Sequence, residues 1–209
     1  MDKNDEQILV VKSETLFKNP PRLGEAGGIW QGLKTDNLDY YLNLIKNNCE
    51  FKRRGDVEND NGFQQIIPYI VFSFENKFFA YKYLPNAGEK RLINNNYQLG
   101  VGGHINKEDV NGEKDVVETG MMREWEEEVD FSGNLISKKL VGIINDDSSP
   151  VEQVHLGLVY HFVGDSPEIK IKETDKMEGV LLDLKDLSED KISQSIWMKI
   201  VYENYLSKL

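Results

Sequence analysis

The pattern of hydrophobic and polar positions predicts more strands than helices. Runs rich in Ile, Val, Phe and Tyr, bounded by turn residues, are typical of strands. They occur near the start, between residues 64 and 105, and again after residue 137: ILVVKSETLF, QQIIPYIVFSF, NKFFAYKYL, YQLGVGGHI, KKLVGIIND, VHLGLVYHFVG and GVLLDL. Because the strands come in runs, the pattern predicts an α+β fold in which helices pack on a mixed sheet.

Three segments have the apolar spacing of amphipathic helices. The first is NLDYYLNLIKNNCEF, for which Asn37 is a candidate N-terminal cap. Residues 115–129 form the strongest helix candidate, and residues 193–209 form the last one. The last helix is expected to bury a stripe made of Trp197, Met198, Val201, Tyr202 and Tyr205.

A polar segment, KRRGDVENDNG, separates the N-terminal part of the chain from the strand-rich part. We therefore predict a boundary near residue 60, with residues 1–60 as an N-terminal extension packed on the core and residues 61–209 as the main domain. A chain of 209 residues suits one large domain with such an extension.

The formal charge of −11 argues against nucleic acid or an anionic membrane surface as the main partner. A small anionic substrate is compatible with this charge if a metal ion intervenes. Cys49 is the only cysteine, which excludes an internal disulfide. The acidic start does not resemble a signal peptide, and no apolar run approaches the ~20 residues of a membrane span, so we expect a soluble cytoplasmic protein.

The stretch REWEEEVDF, residues 123–131, concentrates negative charge on the strongest helix. At ~100° per residue, Glu124, Glu127 and Glu128 lie within one arc of about 100°, and Glu126 points away from it. Trp125 falls on the opposite, apolar side, which is expected to pack on the sheet. Such a run is usually a solvated helix face.

Two features favour a cation site over a merely solvated face. Local lysines do not relieve the repulsion within the glutamate trio, and the upstream GVGGHI could bring backbone oxygens near the helix. Gly120 lies in the same arc, where glycine costs about 1 kcal/mol relative to alanine. We interpret Gly120 as a bare surface that leaves room for a ligand. Carboxylates with a backbone carbonyl suit Mg²⁺ or Mn²⁺.

Taken together, GGHINKEDVNGEKDVVETGMMREWEEEVDF resembles the signature of the Nudix (MutT-like) hydrolases. That signature is Gly, five residues, Glu, seven residues, then Arg-Glu-U-x-Glu-Glu-x-Gly-U, where U is bulky and apolar. The positions that match are Gly103, Arg123, Glu124, Trp125, Glu127, Glu128 and Phe131. The resemblance covers roughly residues 60 to 190 and extends to a subgroup described only as predicted phosphoesterases.

The match departs from the signature at three places. Asp115 stands where the family has its first glutamate, and the loop before it has eleven residues instead of five. Asp130 replaces the late glycine, at a position where we expect a left-handed turn that aspartate tolerates.

The resemblance implies a Nudix fold, a mixed β-sheet sandwiched between α-helices. It also implies hydrolysis of a diphosphate bond in a nucleoside diphosphate linked to another moiety. By resemblance, Mg²⁺ or Mn²⁺ would be held by Glu124, Glu127, Glu128 and the Gly103 carbonyl, and the catalytic residues would be Glu124, Glu127 and Arg123. Arg123 lies one turn before Glu127 and could bond across to a carboxylate, which would fix its rotamer. The general base is Glu124 or an acid from a later loop, for which Glu152, Glu173 and Glu178 are candidates.

Arg91, Lys82 and His104 are candidate substrate contacts, although a structural hydrogen bond would equally explain His104. Trp30 could stack on a base, but core packing is the simpler interpretation. Nudix proteins are often dimers, and the extension could serve a homodimer contact.

Three other functions compete with hydrolysis. A non-catalytic Nudix-fold module would bind a nucleotide or sugar diphosphate, but such modules typically lose glutamates that are retained here. Isopentenyl diphosphate isomerase shares the fold but uses a cysteine just before the signature, whereas Cys49 lies far upstream. A protein-interaction domain would leave Gly120 and GVGGHI unexplained.

Overall fold

The computed structural model describes residues 2–18, 29–84, 97–187 and 195–209. Within these ranges the helices are α1 (Ser13–Phe17), α2 (Leu38–Asn48), α3 (Arg54–Val57), α4 (Val116–Glu128) and α5 (Ile196–Asn204). The first six strands are β1 (Gln7–Lys12), β2 (Gly32–Lys34), β3 (Glu50–Arg53), β4 (Phe63–Phe74), β5 (Lys77–Tyr83) and β6 (Gly100–Val101). The other strands are β7 (Val129–Phe131), β8 (Leu135–Asn145), β9 (His155–Gly164), β10 (Ile169–Ile171) and β11 (Met177–Asp183).

The chain forms two compact units, each assembled from separate stretches of sequence. The first unit comprises residues 1–68, 103–123 and 141–158, and the second comprises residues 69–102, 124–140 and 159–209. Because each unit draws on three stretches, long-range packing rather than chain order brings its elements together.

Strand β1 is the centre of the first unit. It pairs antiparallel with β3 on one side and with the start of β4 on the other. Its apolar residues 8–11 are fully buried, and Ile8 and Val10 pack with Val57 and Phe63. The Leu9 amide donates to the Ile105 carbonyl over 2.8 Å, which ties the loop before α4 to this strand.

Trp30 belongs to an aromatic cluster in the first unit. Its ring meets Phe17 edge-on at 5.3 Å and Tyr41 at 5.1 Å between centroids. The Lys34 ammonium lies 5.7 Å from the Trp30 ring centroid. These contacts place Trp30 as a packing residue of the α1–α2 region and agree with the core interpretation.

The second unit contains a β-hairpin of β4 and β5, and each of these strands also pairs with a further strand. Strands β4 and β5 join through a tight turn at Glu75, which has a φ of 53°. Strand β11 pairs antiparallel along the whole of β5, and the short β6 pairs with β4 at Ile70 and Val71. Strands β7 and β10 form a separate two-stranded sheet.

The core of the second unit is built on aromatic rings. Trp125 is 4% exposed, stacks on Phe72 at 5.5 Å and packs against Phe162 at 5.3 Å. Burying a tryptophan among aromatic rings is a large favourable contribution to stability. Trp125 therefore anchors α4 to the unit, as its position on the apolar face predicts. Helix α5 buries Trp197, Met198 and Val201.

The α+β class with a mixed sheet and helices is confirmed, and α4 begins and ends within a residue of the predicted bounds. Two local predictions were wrong. ILVVKSETLF is not one strand, because β1 ends at Lys12 and α1 follows directly. Asn37 does occupy the N-cap position, but its backbone is left-handed and its amide donates to Asp36 instead of capping α2.

Four short strands, β2, β3, β7 and β10, were not predicted. Each has three or four residues, too few for an alternating pattern to be recognised in the sequence. In the part of the chain that the structure describes, no helix is both long enough and apolar enough to cross a membrane.

Candidate functional site

Helix α4 carries the acidic stretch, and Asp115 fixes where it begins. The Asp115 carboxylate accepts a hydrogen bond from the Val117 amide at 3.0 Å and pairs with the Lys46 ammonium. A carboxylate at a helix N-terminus satisfies free amide groups and interacts favourably with the helix dipole. The aspartate at this position of the signature thus acts as a cap.

Arg123 is held by a buried aspartate from the long loop before α4. Its Nε donates to Asp109 Oδ1 at 2.7 Å and its Nη2 to Asp109 Oδ2 at 3.0 Å. Nη2 also donates to the His104 carbonyl at 2.8 Å, and Asp109 Oδ2 accepts from the Asn106 amide at 2.7 Å. The side chain of Asp109 is 3% exposed and that of Arg123 is 25% exposed, so the carboxylate of this bidentate pair is shielded from water.

Asp109 was not among the predicted site residues. It lies in the eleven-residue loop, for which the sequence predicts no specific chemistry. A signal was present, because Asn106 and Asp109 have the three-residue spacing of a helix-capping pair, and a short 3-10 turn does begin there. The partner of Asp109, however, could be found only from the tertiary structure.

The interpretation of Gly120 as a bare surface beside a ligand was wrong. Gly120 is buried, and a Cβ there would lie 2.8 Å from Asp109 Oδ2 and 2.9 Å from Ile105 Cγ2. Glycine is required because the loop that carries Ile105 and Asp109 packs directly on the helix. The room that Gly120 provides is filled by the protein itself.

His104 makes a structural hydrogen bond in the first unit. Its Nε2 lies 2.7 Å from Gln65 Oε1, and its ring meets the His155 ring edge-on at 5.5 Å. Burial, assisted by the charge of Arg54, lowers the pKa of His104 to about 3. The imidazole is therefore neutral at physiological pH, and the role of His104 as a substrate contact stays a prediction.

In the second unit, the charges of several carboxylates act on Glu128 at the end of α4. Burial raises the pKa of Glu128 to about 7, and the negative charges of Glu124, Glu173 and Glu127 contribute to the rise. A hydrogen bond from the Gly102 amide acts in the opposite direction. Gly102 has a φ of 145°, a conformation that side chains rarely adopt, which explains the glycine.

Glu173 follows a lysine that docks on the C-terminal end of α4. The Lys172 amide donates to the Glu128 carbonyl at 2.8 Å, and the Lys172 ammonium donates to the Glu126 carbonyl. A lysine on the last carbonyls of a helix is a favourable arrangement. Glu126 itself is exposed, as predicted.

The prediction of a left-handed turn at Asp130 was wrong. Helix α4 continues directly into β7, where Asp130 is extended and pairs with Lys170 of β10. Among the described non-glycine residues only Asn37 and Glu75 have a left-handed φ. An extended aspartate needs no glycine-like freedom, so its presence at this place in the signature carries no strain.

Two of the remaining predicted contacts can be placed. The Lys82 ammonium is 2.7 Å from the Glu178 carboxylate and 5.8 Å from the Tyr97 ring centroid. Gly103 follows Gly102 at the start of the second stretch of the first unit. Arg91 lies outside the described residues. The roles of all three stay predictions.

The carboxylates around the end of α4 are the kind of ligand that a hard divalent cation prefers. Glu124, Glu127, Glu128 and Glu173 supply carboxylate oxygens, which Mg²⁺ and Mn²⁺ prefer. Their mutual repulsion at Glu128 is the kind that a bound cation relieves. Across the described residues, no three His, Cys, Asp or Glu side chains are already arranged to hold a metal ion, so binding would require these carboxylates to reorient.

Comparisons with known proteins identify the family. The chain is 30% identical to Protein YmaB of Bacillus subtilis (strain 168), over 97% of this chain and 98% of that protein. It is also similar to the solved structure of Tm1382, a protein provisionally assigned as a Nudix hydrolase. That match has 29% identity and a TM-score of 0.79, and it covers 98% of this chain and 100% of the other.

A MutT Nudix hydrolase from Burkholderia pseudomallei matches at 21% identity and a TM-score of 0.47, over 68% of this chain and 98% of the other. No protein-family model matches the chain. The chain belongs to the Nudix hydrolase family and has the Nudix fold, as its resemblance to the family signature implied. The matches to Protein YmaB and Tm1382 include most of residues 1–60, for which the sequence showed no resemblance.

We expect Gly120→Ala to destabilise the protein by about 1–3 kcal/mol, the usual cost of overpacking. Helix propensity alone would stabilise the variant by about 1 kcal/mol, so the sign of the change is diagnostic. Urea denaturation measures it, with Glu118→Ala on an exposed position of the same helix as the control. A stabilised Gly120→Ala would show that the loop does not pack tightly on Gly120.

We expect His104→Gln to flatten the acid side of the stability profile. The folded protein keeps His104 neutral down to about pH 3, whereas unfolded His104 takes up a proton near pH 6.5. The wild type therefore loses stability from this group as the pH falls below 6.5, by about 1.4 kcal/mol per pH unit. The free energy of unfolding, measured by urea denaturation between pH 6.5 and 4.5, should depend less steeply on pH in the variant, by about 1.4 kcal/mol per pH unit. Equal slopes in the two proteins would contradict a neutral His104 in the folded state.

Proposed function

We propose that this protein hydrolyses a diphosphate bond, with Mg²⁺ or Mn²⁺, in a nucleoside diphosphate linked to another moiety. The observation that carries the proposal is that the charges of Glu124, Glu173 and Glu127 act on the largely buried Glu128, whose carboxylate also accepts from the Gly102 amide. The family supports the reaction class, because Nudix hydrolases act on such bonds. The substrate is a small molecule, and its second moiety is set by residues outside the signature.

Glu124, Glu127, Glu128 and the Gly103 carbonyl are the groups that would hold the cation. When bound, it would neutralise charge on the diphosphate and lower the pKa of a bound water. The carboxylates therefore have two tasks, to bind the cation and to leave one oxygen free to accept a proton. Glu124 is our first candidate for this shared role.

Arg123 acts on the geometry of the site. Its bonds to Asp109 and to the His104 carbonyl fix the residue that directly precedes Glu124 and also the residue that directly follows Gly103. A guanidinium with several fixed acceptors is a rigid connection. We therefore propose that Arg123 is a positioning residue, which fixes the main chain next to Gly103 and next to Glu124.

Among the three later acids, Glu173 is the one that the contacts favour as a general base. Its charge acts on Glu128, and the main chain beside it is bonded to the end of α4. Both acids pair with a lysine, Glu173 with Lys176 and Glu178 with Lys82, so the preference rests on the action of Glu173 on Glu128. Glu152 belongs to the first unit, whereas the glutamate trio belongs to the second. Lys82, Arg91 and His104 are kept as candidate substrate contacts.

We expect Glu127→Gln to reduce kcat by at least about 100-fold, because the variant loses an anionic ligand or proton acceptor. Glu127 is exposed, so folding should not change. The measurement is phosphate or nucleotide release from a panel of dinucleoside polyphosphates, nucleotide sugars and nucleoside triphosphates with Mg²⁺ and with Mn²⁺. Glu126→Gln, which removes a charge from the neighbouring exposed position, is the matched control and should stay within about threefold.

Full activity in Glu127→Gln would contradict the proposed site. Tight binding of a panel compound by the wild type without turnover would instead favour a diphosphate-binding module.

We expect Glu173→Gln to reduce kcat by about 10² to 10⁴-fold if Glu173 is the base, with little change in KM for the substrate. Glu178→Gln removes a carboxylate from the same part of the chain and is the control. The measurement is steady-state kinetics on the best panel substrate, across pH 6 to 9. Equal, small effects of the two substitutions would return the role of base to Glu124.

A further inference from the structure

The segment that precedes the signature glycine is tethered by one tyrosine. The Tyr81 amide donates to the Gln98 carbonyl at 2.9 Å, and the Gln98 amide donates to the Tyr81 carbonyl at 2.7 Å. The Tyr81 hydroxyl then reaches two residues further and donates to the Gly100 carbonyl at 2.9 Å. Three hydrogen bonds from one residue thus fix residues 98–100.

A second tyrosine packs on the same glycine. A Cβ at Gly100 would lie 1.9 Å from Tyr69 Cζ, so the Tyr69 ring occupies the place of a side chain. Gly100 also pairs with Val71 in the short β6–β4 ladder. Ring contact, ladder and hydroxyl together leave the Gly100 peptide little freedom.

The tethered segment leads directly to the acidic group. Two residues after Gly100, the Gly102 amide donates to Glu128 from a backbone conformation with φ 145°. The Tyr81 hydroxyl is close enough to Glu128 for the carboxylate to contribute to a raised pKa of Tyr81, although burial is the larger cause. Tyr81 therefore bonds the segment that leads to the Gly102 amide and lies within electrostatic range of Glu128.

We propose that Tyr81 is a positioning residue for the cation site, whose hydroxyl holds the Gly100 carbonyl so that the Gly102 amide meets the Glu128 carboxylate. This inference rests on the proposed function. It assigns to a residue of β5, outside the family signature, the task of setting the orientation of one carboxylate. Residues that orient metal ligands in this way typically alter metal affinity 10–100-fold when they are removed.

The test compares Tyr81→Phe with the wild type. The variant keeps the ring and the backbone bridge to Gln98 and removes only the hydroxyl, so the fold should persist. Tyr205→Phe is the matched control, since it removes a hydroxyl of the same unit that lies 2.8 Å from His161 Nδ1. Mn²⁺ binding without substrate is measured by electron paramagnetic resonance, and exchange of the Gly102 amide hydrogen is measured by NMR without metal.

We expect Tyr81→Phe to raise the Kd for Mn²⁺ about tenfold and to speed Gly102 amide exchange at least about tenfold. Tyr205→Phe should leave both unchanged even if it lowers the melting temperature equally. Faster exchange without a change in Kd, or no change in either quantity, would overturn the role of Tyr81.

Mn²⁺ binding by the wild type separates the proposed function from the role of Tyr81. If the wild type itself does not bind Mn²⁺, the proposed function fails together with the positioning role. If the wild type and Tyr81→Phe bind Mn²⁺ equally, only the assignment of Tyr81 fails.

Discussion

The ion pair between Arg123 and the buried Asp109 is the interaction on which the packing of the loop before α4 depends. Burying a carboxylate is unfavourable unless it is paired and its hydrogen-bonding capacity is used, and here Asp109 accepts from Arg123 and from the Asn106 amide. The same guanidinium binds the His104 carbonyl, so one side chain fixes the loop and the chain beside Gly103. The pair also explains Gly120, because the loop can reach Arg123 only by lying against the helix.

At the end of α4 in the second unit, like charges act on one another, whereas Arg123 and Asp109 are a pair of opposite charges. The groups that act on Glu128 are three other carboxylates and one backbone amide, in a place where burial already disfavours charge. Under the proposed function, an acidic protein must supply positive charge to hold an anionic diphosphate, and a cation bound by these carboxylates would supply it. Arg123 of the first unit has its charge paired with Asp109. The next residue, Glu124 of the second unit, belongs to the group of like charges that act on Glu128.

The side chains of REWEEEVDF therefore have separate tasks. Arg123 turns to the loop, Trp125 is the aromatic anchor of its core, and Glu126 faces solvent. Glu124 and Glu127 act on Glu128 from the same helix. Helical periodicity predicts this division, because an advance of about 100° per residue separates the apolar side from the acidic arc. The fold class and the bounds of α4 follow from the same kind of pattern, which is local and so visible in one sequence.

The sequence by itself determined the α+β class, the helix that carries the glutamates, the inward side of Trp125 and the resemblance to the family signature, since each depends on neighbouring residues. Tertiary structure alone decided the rest. Asp109 becomes the partner of Arg123 across fourteen positions, and Gly120 is explained by the loop packed on it, not by a ligand. Asp130 is extended because β10 pairs with it, and Tyr81 meets Gly100 because the sheet brings them together. Such contacts join residues distant in sequence, and no local period or spacing encodes them.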